Sequence, residues 1–158
     1  MNKILIKTII FLLLFGLTSC SYKPIFLEKS YNFEIKEVSL DGDKDINRNI
    51  QNKLKFIKNS ESKDKQSYTI YINSTKNRKI VSKDSKGDPV KFELNIFVKY
   101  KIINNSNILL DNEIEKKNIY NNDSDQFKLK QTEDIILQNL AESIGDTIIS
   151  SIINLDDN

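Results

Sequence analysis

From Val90 to Ile102 every second residue is apolar or aromatic: Val90, Phe92, Leu94, Ile96, Val98, Tyr100 and Ile102. The residues between them are Lys91, Glu93, Asn95, Lys99 and Lys101, with Phe97 the exception. A period of two means a strand with one buried face and one face toward water or a partner. Asn104-Asn105-Ser106-Asn107 has the composition of a hairpin turn. Residues 108–120 then read as a return strand, with the blurred pattern of a sheet edge. Upstream, Tyr68, Ile70 and Ile72 alternate with polar neighbours over 67–74, and Phe33 and Ile35 mark a short strand over 33–38.

Two segments follow a helical period instead. Ile46, Ile50, Leu54 and Ile57 are spaced four, four and three apart, which predicts a helix ending near Asn59. Near the C-terminus Ile136, Leu140, Ile144, Ile148 and Ile152 recur every fourth residue. Leu137, Ala141, Ile149 and Ile153 widen that stripe. This helix starts near Ser124 or near Thr132, and Gly145 inside it costs roughly 1 kcal/mol against Ala. The polar stretches 59–67 and 76–89 read as loops, the second closing on the turn signal Gly87-Asp88-Pro89. The order β-α-β-β-β-α predicts an α+β two-layer sandwich. Two helices would pack on one face of a mixed sheet of about four strands, in a single domain over 33–155.

The N-terminus has another pattern. Lys3 and Lys7 precede the apolar run Ile9–Phe15, and Leu17-Thr18-Ser19-Cys20 follows. The run is short for a membrane-spanning helix, which needs about 20 apolar residues. It has the layout of a secretory signal. Leu17, Thr18 and Ser19 before Cys20 resemble the signal-peptidase site of bacterial lipoproteins. That resemblance implies removal of 1–19 and acylation of Cys20 with diacylglycerol and an N-acyl chain. Three acyl chains would anchor the chain stably. Residues 20–32, interrupted by Pro24 and Ser30, then read as a tether. The same resemblance implies that an Asp after the Cys would favour inner-membrane retention; Ser21 stands there, which leans toward the outer membrane.

Composition narrows the chemistry. The 158 residues contain 24 Lys and Arg, 22 Asp and Glu, no His and one Cys. A Ser-His-Asp triad, a His-ligated zinc and an internal disulfide are therefore ruled out. Four Gly in all leave no glycine-rich phosphate loop. The segment 1–19 holds two Lys and no acid, so the processed chain carries 22 charges of each sign. A wholesale nucleic-acid-binding role loses its support.

Few motifs carry chemistry. Asp41, Asp43 and Asp45 resemble the start of a calcium loop, but Ile46 and Asn52 stand where it needs Gly and Glu, so helix capping is the expectation. Glu113 and Glu115 share a strand face and read as solvated edge residues. Asn73, Asn104 and Asn122 match the glycosylation pattern, which a bacterial lipoprotein would not normally use. Lys76, Arg78, Lys79, Lys83 and Lys86 form the densest basic stretch, read either as an anion-binding site or as a solubilising loop.

Cys20-Ser21-Tyr22-Lys23-Pro24-Ile25-Phe26 resembles the start of the LPS-assembly lipoprotein family (LptE), of the alphaproteobacterial type. The element order and Asn139-Leu140-Ala141-Glu142-Ser143-Ile144 are also similar to that family. The resemblance implies an outer-membrane lipoprotein, not an enzyme, facing the periplasm. It would sit inside the large β-barrel LptD, help that barrel assemble, and assist delivery of lipopolysaccharide to the cell surface. Lys76, Arg78, Lys79, Lys83 and Lys86 would then meet the phosphates. The alternative is an auxiliary lipoprotein of an ABC-type lipid transport system, similarly tethered. Growth in labelled palmitate is expected to tag the chain, and Cys20→Ser is expected to abolish the label and leave 1–19 uncut.

Overall fold

A computed structural model of the chain describes residues 33–55 and 65–156. The expected leader 1–19 with Leu17, Thr18 and Ser19, the expected acylation residue Cys20, the expected tether 20–32 and the expected helix end near Asn59 lie outside the described residues. The elements are β1 (Phe33–Gly42), α1 (Lys44–Lys55), β2 (Gln66–Lys83), β3 (Pro89–Asn104), β4 (Asn107–Asn121) and α2 (Gln126–Asp156). The strands form one mixed sheet in the order β1-β2-β3-β4. β1 runs parallel to β2, and the crossover that a parallel pair needs is α1. The pairs β2–β3 and β3–β4 are antiparallel. This is the α+β sandwich expected from the periodicities.

The two helices cover one face. Beneath them lie Tyr68, Ile70 and Ile72 from β2, with Ile96, Val98, Tyr100 and Ile102 from β3. Ile46 and Ile50 of α1 and Ala141, Ile144, Ile148 and Ile152 of α2 close the core from above. Burying side chains of this kind stabilises by roughly 1.5–3 kcal/mol each. Among the described residues no helix is long and apolar enough to cross a membrane.

The change of direction between β1 and α1 is tightly built. Gly42 has φ +92°, and a Cβ there would stand 1.9 Å from the Ser74 carbonyl oxygen. Only glycine fits a left-handed residue at such an approach. Asp43 then caps α1, its Oδ1 accepting the backbone N–H groups of Asp45 and Ile46 at 3.0 and 3.1 Å. Burial alone would raise the Asp43 pKa. The Lys76 ammonium and those two N–H groups outweigh it and hold the carboxyl below its ordinary value. Asn47 is buried but satisfied: its Nδ2 donates to the Asp41 carbonyl and its Oδ1 accepts from Ser74. The Asp41-Asp43-Asp45 pattern is thus a capping turn.

Two boundaries differ from the sequence reading, and a third that it left between two positions is settled. The segment 76–83 is not a loop. It continues β2, paired from Lys76↔Ile96 to Lys83↔Pro89, and the connection is only 84–88. Its apolar alternation fades because α1 stops short of it, so polar residues suit either face. α2 begins at Gln126, with Asp125 Oδ1 accepting the amides of Phe127 and Lys128, which settles its start near Ser124. β1 extends to Gly42, past the strand expected over 33–38. The turn after β3 matches its composition: Asn105 and Ser106 both have positive φ, as a two-residue type I′ hairpin requires.

Gly145 gains a purpose that the helical pattern did not give it. A Cβ there would stand 2.9 Å from Lys53 Cβ, so the glycine lets α1 approach α2. Lys53 then reaches Asp146 at 3.1 Å. Gly145→Ala is therefore expected to destabilise the fold by roughly 1–3 kcal/mol in urea denaturation, where helix propensity alone would give a gain of roughly 1 kcal/mol.

Candidate functional site

The five basic residues singled out in the sequence lie on one strand and its turn, but not on one surface. Successive side chains of a strand point to opposite faces. Lys76 and Arg78 pair with Ile96 and Leu94, on the helix-covered face. Lys79 pairs with Glu93 on the open face. Lys83 ends the strand, and Lys86 sits in the connecting turn.

The first three have internal partners. Lys76 Nζ is 2.9 Å from Asp43 Oδ2. Arg78 belongs to a clamp at the start of α2. Its Nε is 2.8 Å from Glu133 Oε1 and 3.0 Å from the Tyr120 hydroxyl, and its guanidinium lies 3.7 Å over the Phe92 ring. Tyr120 donates its own proton to Glu133. Burial and that hydrogen bond push the Tyr120 pKa up to about 12, against the pull of Arg78. Lys79 is 2.8 Å from Glu93 Oε1. The hydrogen bond raises the lysine pKa and lowers that of the glutamic acid.

Lys83 and Lys86 have no ion pair among the described residues, and they frame the end of the β2–β3 hairpin. The turn is rigid. Asp84 Oδ1 accepts the amides of Lys86 and Asp88, and Gly87 takes φ +93°. The sequence reading missed the apolar residues around these lysines. Ile80, Val81 and Val90 are 46, 40 and 40% exposed on the paired strands beside the turn. Ile119 and Phe127 stand at the same end of the sheet, 56 and 77% exposed. Lys91, paired with Asn121, adds another charge there. Ile80-Val81 inside an otherwise polar run was the available signal. By register Ile80 and Val90 share the helix-side face with Phe92, while Ile119 and Lys91 lie on the open face, so the hairpin end carries exposed apolar side chains on both faces with the ammonium groups of Lys83 and Lys86 at its tip.

Elsewhere the chemistry is sparse. Among the described residues no three of His, Cys, Asp or Glu come together to hold a metal. The groove between α1 and α2, about 510 Å³, is lined by Asn49, Asn52, Lys53, Lys55, Gln138 and Glu142. Glu113 and Glu115 face Lys99 and Asn95 across the ladder, at 2.5 and 2.6 Å, so they are cross-strand partners on an edge. Arg78→Lys, which keeps the charge and loses the stack and the planar fork, is expected to cost about 1–2 kcal/mol. Tyr120 has its pKa raised in the fold, so its contribution is complete below about pH 10, the ordinary tyrosine value, and is lost as pH rises toward 12. Ultraviolet titration should find Tyr120 among the last tyrosines to ionise.

No family model matches the sequence, and no curated protein matches it. Solved structures do match the fold. The rare lipoprotein B of Shewanella oneidensis is similar at 17% identity, over 77% of this chain and 97% of that one, with a TM-score of 0.58. Lipoprotein B of Nitrosomonas europaea is similar at 16% identity, over 84 and 92%, with a TM-score of 0.59. A minor lipoprotein of Acinetobacter baumannii is similar at 15% identity, over 77 and 93%, with a TM-score of 0.54. The β-α-β-β-β-α sandwich is the fold of these lipoproteins.

Proposed function

We propose that the chain is an outer-membrane lipoprotein, anchored through acyl chains on Cys20, that plugs and helps assemble the β-barrel LptD and assists delivery of lipopolysaccharide to the cell surface. It acts by binding and without catalysis. The observation that carries this reading is the hairpin end, where Lys83, Lys86 and Lys91 edge the exposed Ile80, Val81, Val90 and Phe127. Phosphates want ammonium groups and acyl chains want apolar surface, and the hairpin end offers Lys83 and Lys86 at its tip beside Ile80 and Val90 on its helix-side face. The similarity of the fold to lipoprotein structures supports the anchor. A lipid tether would raise the effective concentration near a membrane partner. A compact domain with a highly charged surface suits the polar lumen of a wide barrel.

Among the five lysine and arginine candidates the hairpin pair, Lys83 and Lys86, would meet phosphate directly. Lys76, Arg78 and Lys79 would act through the strand geometry that their ion pairs hold. The tagged lipoprotein, drawn from detergent-solubilised outer membranes, is expected to bring a stoichiometric large barrel with it. Recovery of an inner-membrane ABC transporter instead would move the function to that system. The variant Lys83→Glu/Lys86→Glu/Lys91→Glu is expected to weaken capture of purified lipopolysaccharide about tenfold or more while leaving the thermal transition in place.

A further inference from the structure

β4 ends the sheet, so one side of its backbone has no strand beside it among the described residues. Proteins usually blunt such edges with bulges, proline, short length or charged side chains; β4 has charges and a bulge confined to its start near Leu109. Here the edge is 15 residues long. It carries neither proline nor glycine, and it keeps regular register with β3 from Leu110 to Asn121. The other edge strand, β1, is shorter and has a register shift between Ile35 and Glu37.

The side chains along this edge are sorted by face. Asp111, Glu113 and Glu115 stand at alternate positions on the open face, followed by Lys117. Leu110 and Ile114 stand on the covered face, partly buried against the core. Two of the acids have lysine partners, Lys101–Asp111 at 3.0 Å and Lys99–Glu113 at 2.5 Å, with all four side chains about half exposed. Exposed pairs of this kind contribute roughly 0–1 kcal/mol, so the acids can turn to a new cation at little cost. Glu115 accepts from the Asn95 amide at 2.6 Å and lies within the field of Lys79.

We propose that β4 accepts an added strand from a protein partner, an extended segment with Lys or Arg at alternate positions and apolar or β-branched residues between them. Main-chain hydrogen bonds would give the affinity, and the alternation would set the register. The basic residues of the guest fall beside Asp111, Glu113 and Glu115. Its apolar residues fall beside Leu110 and Ile114 and extend the covered face. A second copy of this chain fits less well, because β4 would bring a row of three acids and one lysine against the same row. The inference does not need the hairpin end or the identity of the barrel.

The test uses the full lipidated chain in detergent and two synthetic eight-residue peptides, one alternating Lys and Val, the other Glu and Val. Amide hydrogen exchange is followed along the chain. The Lys/Val peptide is expected to slow exchange between Asp111 and Ile119, and the effect is expected to weaken with salt. The Glu/Val peptide should need at least about tenfold more for the same effect. Glu113→Lys/Glu115→Lys should reverse that preference. Lys117→Pro, which removes one edge N–H and is tolerated on an edge strand, should weaken both peptides without shifting the thermal transition. Protection on β1, protection equal for both peptides, none at all, or a dimer protected at β4 without peptide would each overturn the proposal. Loss of lipopolysaccharide capture at the hairpin end would leave it standing.

Discussion

α1, the helix over β1 and β2, is too short to cover an 18-residue strand. α1 is 12 residues, about 18 Å at helical rise. β2 spans about 60 Å at strand rise. α2, 31 residues and about 46 Å long, lies over β3 and β4 and reaches Tyr120 at the hairpin end through Glu133, so the shortfall falls on the far end of β2. The rest of the architecture answers to that shortfall. Where cover is complete, β2 alternates cleanly through Tyr68, Ile70 and Ile72. Where it runs out, the strand turns polar on both sides and survives by its ladder with β3.

The transition between the two regions is handled by charge. Lys76 ties β2 to the cap of α1 through Asp43, and Arg78 ties it to the first turns of α2 through Glu133 and Tyr120. Both pairs sit at the margin of the core, where solvent is partly excluded and an apolar contact would be incomplete. Arg78 also covers Phe92, its guanidinium stacked on the ring at the margin of the core. Residues that a sequence scan groups as one basic patch thus divide into fasteners, Lys76, Arg78 and Lys79, and uncommitted charges, Lys83 and Lys86. The proposed work of the molecule falls on the uncommitted ones, together with the exposed apolar side chains that the shortfall leaves at the hairpin end.

The open face follows a different logic. Its lysines and acids pair across strands, Lys79 with Glu93, Lys99 with Glu113 and Lys101 with Asp111. Such ladders keep a bare sheet face polar and discourage nonspecific association. They also leave β4 with a sorted row of acids along a free edge. A face that is polar by cross-strand pairing is compatible with water and with a polar partner wall, and it does not require a lipid environment.

The sequence by itself determined the elements whose period matches one-sided burial. The strand Val90–Ile102, the turn Asn104–Asn107 and the stripe Ile136–Ile152 were all legible, because each residue there meets the same environment as its neighbour one period away. The cap at Asp43 was legible because its partners are the next two or three residues in the chain. The extension of β2 over 76–83 was not, since its polar residues respond to missing helix cover, a property of the assembled layers. Gly145 could not be explained from its own helix, because the reason for it is Lys53 on another one. The division of the basic stretch was equally hidden: alternation places Lys76 and Lys79 on opposite faces only once that stretch is known to be a strand. Local periodicity records what an element buries, while the choice of partners across elements, and so the location of the free charges, is made by the tertiary structure.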